Sequence, residues 1–179
     1  MVNLLQLAEK VSSPFGYREQ PTAGASTNHK GIDLVLFDDN VPAVQTGRIS
    51  NAGYNSSRGY YVEVEQVDGT TATYMHLAKP SIYKKGDSIL AGTTIGVQGS
   101  TGISTGKHLH YEVKTADGSY IDPAKYMSRG TTEHANFDTV SNDSGVSGIM
   151  GSIANFVAML LLCVFAVVLF LKAFDISII

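Results

Sequence analysis

The residues able to do chemistry in this chain are four histidines and one aspartate. His29 and Asp33 stand four residues apart, and His108 and His110 stand two apart. Side chains of an extended segment alternate faces with a period of two, so each pair shares a face. His29, Asp33 and His110 together offer two imidazoles and one carboxylate. That set suits a catalytic zinc ion, whose fourth position is left to water. Zinc lowers the pKa of such a water from roughly 15.7 to about 7 and polarises a carbonyl. Hydrolysis then needs a group to take the water's proton and others to meet the oxyanion. His108 and His76 are the candidates for those tasks, and spacing does not choose between them. Two solvent-facing histidines on an amphipathic strand would look the same, so the other elements must bring the remaining residues to them.

Those elements read as an antiparallel all-β domain. In Lys107-His108-Leu109-His110-Tyr111-Glu112-Val113, the face opposite the histidines is Leu109, Tyr111 and Val113, suited to a core. Glu112 shares the histidine face, as an outer partner of a ligand or a solvated residue. Residues 29–36 end in an apolar, partly β-branched run that favours a strand. Residues 60–67 alternate, Asp68-Gly69 is a hairpin signal, and residues 70–76 form the returning strand. Short strands are expected at 41–44, 47–52, 88–90 and 93–98, with turns at Asp38-Asp39-Asn40, Lys84-Lys85-Gly86-Asp87 and Asp117-Gly118. Many short strands separated by turn signals give an antiparallel sheet or sandwich-like domain over residues 13–127. Residues 1–12 are read as a short N-terminal amphipathic helix. They lack a basic leader and a sustained apolar run, so they are not read as a signal peptide.

Composition narrows the function. The chain has 179 residues and a net charge of −3, which gives no basic field for nucleic acid. Its single cysteine, Cys163, excludes an intrachain disulfide and a cysteine-rich zinc site. Any metal must therefore use histidine and carboxylate.

Three ordered motifs resemble the lysostaphin-like zinc metallopeptidases, bacterial and phage enzymes that cut peptidoglycan peptides. They are His29-Lys30-Gly31-Ile32-Asp33, Tyr74-Met75-His76-Leu77 and His108-Leu109-His110. Phe15-Gly16-Tyr17-Arg18, Lys85-Gly86-Asp87 and the loop 99–106 add to the likeness, which covers about residues 13–123. The resemblance implies that His29, Asp33 and His110 bind Zn2+, and that His76 and His108 serve the activated water and the tetrahedral intermediate. Arg18 falls in a motif near the cleft, either as an anion contact or as a structural arginine paired with an acid. Tyr74 and Tyr60 are candidates for the substrate groove, though strand tyrosines also simply pack. Two features depart from the family pattern. Lys107 stands where proline is common, and the loop Phe37-Asp38-Asp39-Asn40 is unusually acidic.

Beyond the domain, composition shifts to Thr, Ser, Asn, Asp and Gly. Residues 128–148 are read as a flexible linker, His134 within it having no role. An uncharged, apolar run follows over about 19 residues, roughly 30 Å as a helix. Residues 149–172 are read as a transmembrane helix and 173–179 as a short tail. Lys172 after the span favours a single-pass protein with its catalytic domain on the cell-wall side. A virion membrane of a phage is the alternative, because a wall-cutting domain is paired with an anchor. The functional expectation is a membrane-anchored zinc metalloendopeptidase acting on peptidoglycan. The competing readings are a non-catalytic peptidoglycan-binding or regulatory module and a non-haem iron oxygenase.

Overall fold

The apolar residues of the central strands fall on alternate positions, and that alternation builds one wide sheet with two unlike faces. The computed structural model describes residues 1–135. In chain order its strands are β1 (Ala8–Ser13), β2 (Gly16–Tyr17), β3 (Asn28–His29), β4 (Gly31–Leu36), β5 (Asn40–Pro42) and β6 (Gly47–Asn55). They continue with β7 (Gly59–Gln66), β8 (Thr71–Leu77), β9 (Ser88–Ile89), β10 (Thr94–Val97), β11 (Leu109–Lys114) and β12 (Tyr120–Ile121), followed by helix α1 (Pro123–Ala135). The large sheet runs β1-β4-β11-β8-β7-β6-β9, with β12 paired to β11. β5 with β10 and β2 with β3 form two small sheets, and every pairing is antiparallel.

One face of the sheet is the core. Ile32, Leu34, Leu36, Val62, Val64, Ala72, Tyr74, Leu109, Tyr111 and Val113 are buried there, and Val41 and Ile95 of the small β5–β10 sheet join them. A fully buried Leu or Val contributes about 1.5–3 kcal/mol, so this face fixes the register of β4 and β11. Leu109 lies opposite Leu34 and His110 opposite Asp33. A slip of one residue would turn the apolar set outward and the histidines inward. The opposite face is then free to carry Asp33, His110 and Glu112.

Three expectations change. Residues 1–12 are not an amphipathic helix. Leu4–Gln6 make a single 3-10 turn capped by the Asn3 side chain, and Ala8–Ser13 form an edge strand on β4. The apolar cluster there is too short to offset helix nucleation, and pairing with an open sheet edge wins. The expected linker does not begin at 128, because α1 continues through Ala135. Asp122 accepts from the Ala124 N–H at 2.9 Å and Pro123 holds the first helical position, a strong start signal. Tyr126 and Met127 seat the helix in the core.

The third change concerns Tyr74. It is fully buried, and its hydroxyl accepts from the Val44 N–H at 2.8 Å, so it packs in the core and does not line a substrate groove. No helix among the described residues is long and apolar enough to cross a membrane. The rest of the expected linker, the transmembrane helix and the tail lie outside the described residues.

Candidate metal centre

β4 and β11 lie side by side, and β3 leads into β4, so three ligand candidates converge from neighbouring strands. His110 Nδ1 is 2.7 Å from Asp33 Oδ1, His29 Nε2 is 3.2 Å from that oxygen, and the two ring nitrogens are 3.0 Å apart. All three residues are buried. Among the described residues they form the one cluster of His, Cys, Asp or Glu whose donor atoms are close enough to share a metal ion. Bonds of about 2.0–2.1 Å at tetrahedral angles place donors about 3.3 Å apart, close to what the trio presents. The donor set therefore fits a divalent metal.

Each candidate ligand is also held from behind. His29 Nδ1–H donates to the Pro14 carbonyl at 2.6 Å, which turns Nε2 inward. His110 is held through Nε2 by Glu112 Oε1 at 3.1 Å, which turns Nδ1 inward. Arg18 Nη1 donates to Asp33 Oδ2 at 2.7 Å, leaving Oδ1 for the centre. The same Arg18 nitrogen donates to Ser13 Oγ at 2.7 Å. Arg18 is thus the structural partner of an acid, and the anion-contact reading gives way to an ion pair with the ligand carboxylate. Gly31 makes the Glu112 contact possible. A Cβ there would lie 2.5 Å from the Tyr111 carbonyl oxygen and 2.9 Å from both Glu112 Cγ and His110 Nε2.

Charge follows from this packing. Burial alone would raise the Asp33 carboxyl, but hydrogen bonds from His110 and His29 outweigh it and hold the group well below the usual carboxylate range. Burial opposes a charge on His110, yet the carboxylates at its two nitrogens lift it to about 9 without metal. A metal held by His110 would replace that proton, so loading the centre would release protons. Glu112→Gln keeps the volume and removes the outer carboxylate. Partners of this kind typically contribute 10–100-fold in metal affinity. The variant is expected to bind zinc about 10–100-fold more weakly in a competitive chelator titration, and its metal-free form, without the carboxylate that stabilises charged His110, to unfold at a somewhat lower temperature.

Two further imidazoles face the cleft. His76 Nδ1–H donates to the Thr101 carbonyl at 2.8 Å, and His108 Nδ1–H donates to the Gly106 carbonyl at 2.8 Å. Both therefore present Nε2. The rings are 4.9 Å apart, and His108 Nε2 is 3.7 Å from Asp33 Oδ1. Burial pushes His76 down to about 4, only partly offset by the Thr101 carbonyl. It is neutral at pH 7, with a free lone pair.

His76 reaches the cleft by an irregularity. Tyr74 points into the core, so strict alternation would send His76 there too. Instead His76 has φ +60°, and the β7–β8 register slips between Tyr60↔Leu77 and Val62↔Tyr74. The extra residue of this bulge turns the imidazole to the other face. His108 lies just before β11, bridged to Gly99. Tyr60 is half-buried against the core and its ring meets Tyr54 at 5.0 Å. The two departures from the family pattern answer each other, since Lys107 Nζ pairs with Asp39 Oδ2 at 2.6 Å on the surface.

The backbone partners of this site, the carbonyls of Pro14, Thr101 and Gly106, leave no trace in side-chain chemistry. Gly31, inside His29-Lys30-Gly31-Ile32-Asp33, was the one readable sign of a close approach.

Residues 27–123 match the family model described as Peptidase family M23. The chain is 36% identical over 131 residues to an uncharacterized metalloprotease of Haemophilus influenzae, covering 72% of this chain and 27% of that protein. It is 36% identical over 115 residues to the DD-carboxypeptidase/endopeptidase Mpg of Neisseria meningitidis, covering 64% and 26%. The chain thus spans about a quarter of the length of these curated relatives. The catalytic domain of lysostaphin from Staphylococcus simulans superposes with a TM-score of 0.61 at 30% identity, covering 70% of this chain and 96% of that domain.

Proposed function

Because the chain belongs to peptidase family M23, we propose that residues 13–127 are a zinc metalloendopeptidase that hydrolyses peptide bonds in peptidoglycan. The observation that carries this reading is the division of five buried or half-buried polar residues into two groups. His29, Asp33 and His110 turn their donor atoms toward one point, while His76 and His108 present free Nε2 atoms beside it. When bound by the first group, zinc supplies a Lewis acid and a water of near-neutral pKa.

The second group handles protons. An imidazole tied at Nδ1–H to a carbonyl can accept a proton only at Nε2. The ring that takes the proton of the attacking water becomes a donor, able to pass it to the leaving amine. Two such rings 4.9 Å apart let one accept the water's proton while the other, when protonated at Nε2, donates to the substrate carbonyl oxygen. A purely binding module has no use for two imidazoles held in this way. The activities for which relatives are named, among them the Neisseria DD-carboxypeptidase/endopeptidase and a glycyl-glycine endopeptidase of Staphylococcus capitis, support the substrate class.

The proposal extends to location. The uncharged apolar sequence of residues 153–171 supports a single membrane anchor that leaves the peptidase on the wall side, or in a virion membrane. The enzymatic part is tested by incubating the full chain, loaded with zinc, with purified sacculi of several wall types. Mass spectrometry should find released peptides with new amino and carboxyl ends, lost on chelation and restored by zinc. Release that ignores the chelator, or none from any wall type, would contradict it.

A further inference from the structure

The cleft extends from the histidines to a cationic end. His110, Glu112 and Lys114 share one face of β11, and Lys114 lies about 13 Å along the strand from His110. Lys30 directly follows His29 and lines the same cleft. Both ammonium groups lie against one ring: Lys30 Nζ is 4.9 Å and Lys114 Nζ 4.8 Å from the Tyr120 centroid. Tyr120 is held there by β12, which pairs it with Lys114.

The other charged groups of the cleft already have partners. Arg18 is paired with Asp33, Glu112 with His110, and Arg58 with Glu63 while stacking 3.6 Å from the Tyr61 centroid. Lys30 and Lys114 have no carboxylate within ion-pairing range among the described residues. Two like charges over one ring repel each other. The ring attracts each of them but neutralises neither. The flexible stems of the two lysines let both reach one anion beside the ring, which would relieve the repulsion and take a charge-assisted hydrogen bond from each.

We propose that Lys30, Lys114 and Tyr120 form a carboxylate-binding subsite of this cleft, which selects peptides carrying a free carboxylate near the scissile bond. The inference rests on the hydrolase reading above. An extended peptide advances about 3.3–3.6 Å per residue, so the carboxylate lies roughly two to four residues from the bond cut, allowing for the reach of lysine. Direct cross-links between stem peptides offer such carboxylates, whereas a polyglycine bridge does not.

The test uses the zinc-loaded full chain and cross-linked stem-peptide dimers whose carboxylates near the cross-link are either free or converted to primary amides. The free-acid dimer should be cleaved with about tenfold higher kcat/KM, mostly through KM, as expected for a charge-assisted contact of about 1.4 kcal/mol. The double variant Lys30→Gln/Lys114→Gln should bring the acid-to-amide ratio close to one. A wild-type ratio near one, or a variant that keeps the wild-type ratio, would overturn the subsite. Calorimetric binding of the two dimers to a His76→Ala chain makes the same comparison without turnover. Tighter binding of the acid with no hydrolysis by wild type would sustain the subsite and overturn the hydrolase reading. Equal binding with intact hydrolysis would overturn the subsite alone.

Discussion

Replacing His110 by alanine should leave the chain folded, without bound metal and without hydrolytic activity. In the proposed centre His110 supplies one of three donor atoms, so its loss should exceed what an outer partner contributes. Zinc affinity should fall well beyond the roughly 10–100-fold typical of an outer residue. Peptide release from sacculi should drop by more than the approximately 10²–10³-fold that follows loss of a single oxyanion donor. The fold should survive because the strand is held from its other face. Leu109, Tyr111 and Val113 are fully buried, and His110 contributes nothing to that core. The removed ring also leaves Asp33 its ion pair with Arg18 and its contact with His29. Metal content, sacculus digestion and thermal unfolding on one preparation separate the effects. A His110→Ala chain that still holds stoichiometric zinc at wild-type affinity would contradict the ligand assignment.

His76→Ala should behave in the opposite way, retaining metal and losing rate. The ring touches none of the three ligand atoms by hydrogen bond, and its Nδ1 is committed to the Thr101 carbonyl. A positioned proton acceptor is typically worth 10²–10⁴-fold, so kcat should fall by about that factor while zinc binding changes little. His108→Ala should show a loss of similar size. The double variant should lose less than the product of the two, because the rings serve one and the same step as a unit. Thermal unfolding should come at a somewhat lower temperature, since alanine packs less against the loop 99–106 and leaves the Thr101 carbonyl without its donor. Equal turnover by His76→Ala and wild type would remove His76 from the mechanism.

Much of this site was legible in the sequence, and its limits have physical causes. The faces of β4 and β11 followed from alternation alone, because both strands are regular and buried on one side. Asp33 and His110 therefore met as expected, with Glu112 behind His110. Position 76 could not be read that way. Tyr74 and His76 share a face in a regular strand, yet a bulge with positive φ at His76 separates them, and nothing in the side chains announces it. The same bulge explains why Tyr74 sits in the core when it was expected near the groove.

Arg18 had two readings from sequence, and only the position of β2 beside β3 brings its guanidinium onto Asp33. The N-terminal segment was misread because its apolar residues suit a helix locally, whereas an open edge of β4 was available to pair with it. The helix after residue 122 was readable. Asp122 followed by Pro123 is a helix start, and the polar composition beyond it masked the signal.

The central claim is that His29, Asp33 and His110 hold the ion used for hydrolysis. X-ray absorption at the zinc edge, on the full chain loaded with one equivalent of zinc, tests it most directly. The expected spectrum has only nitrogen and oxygen neighbours, at about 2.0–2.2 Å, with two imidazoles, one carboxylate and one water, and Asp33→Asn should alter it. A sulfur neighbour, or a spectrum unchanged by Asp33→Asn, would contradict the claim.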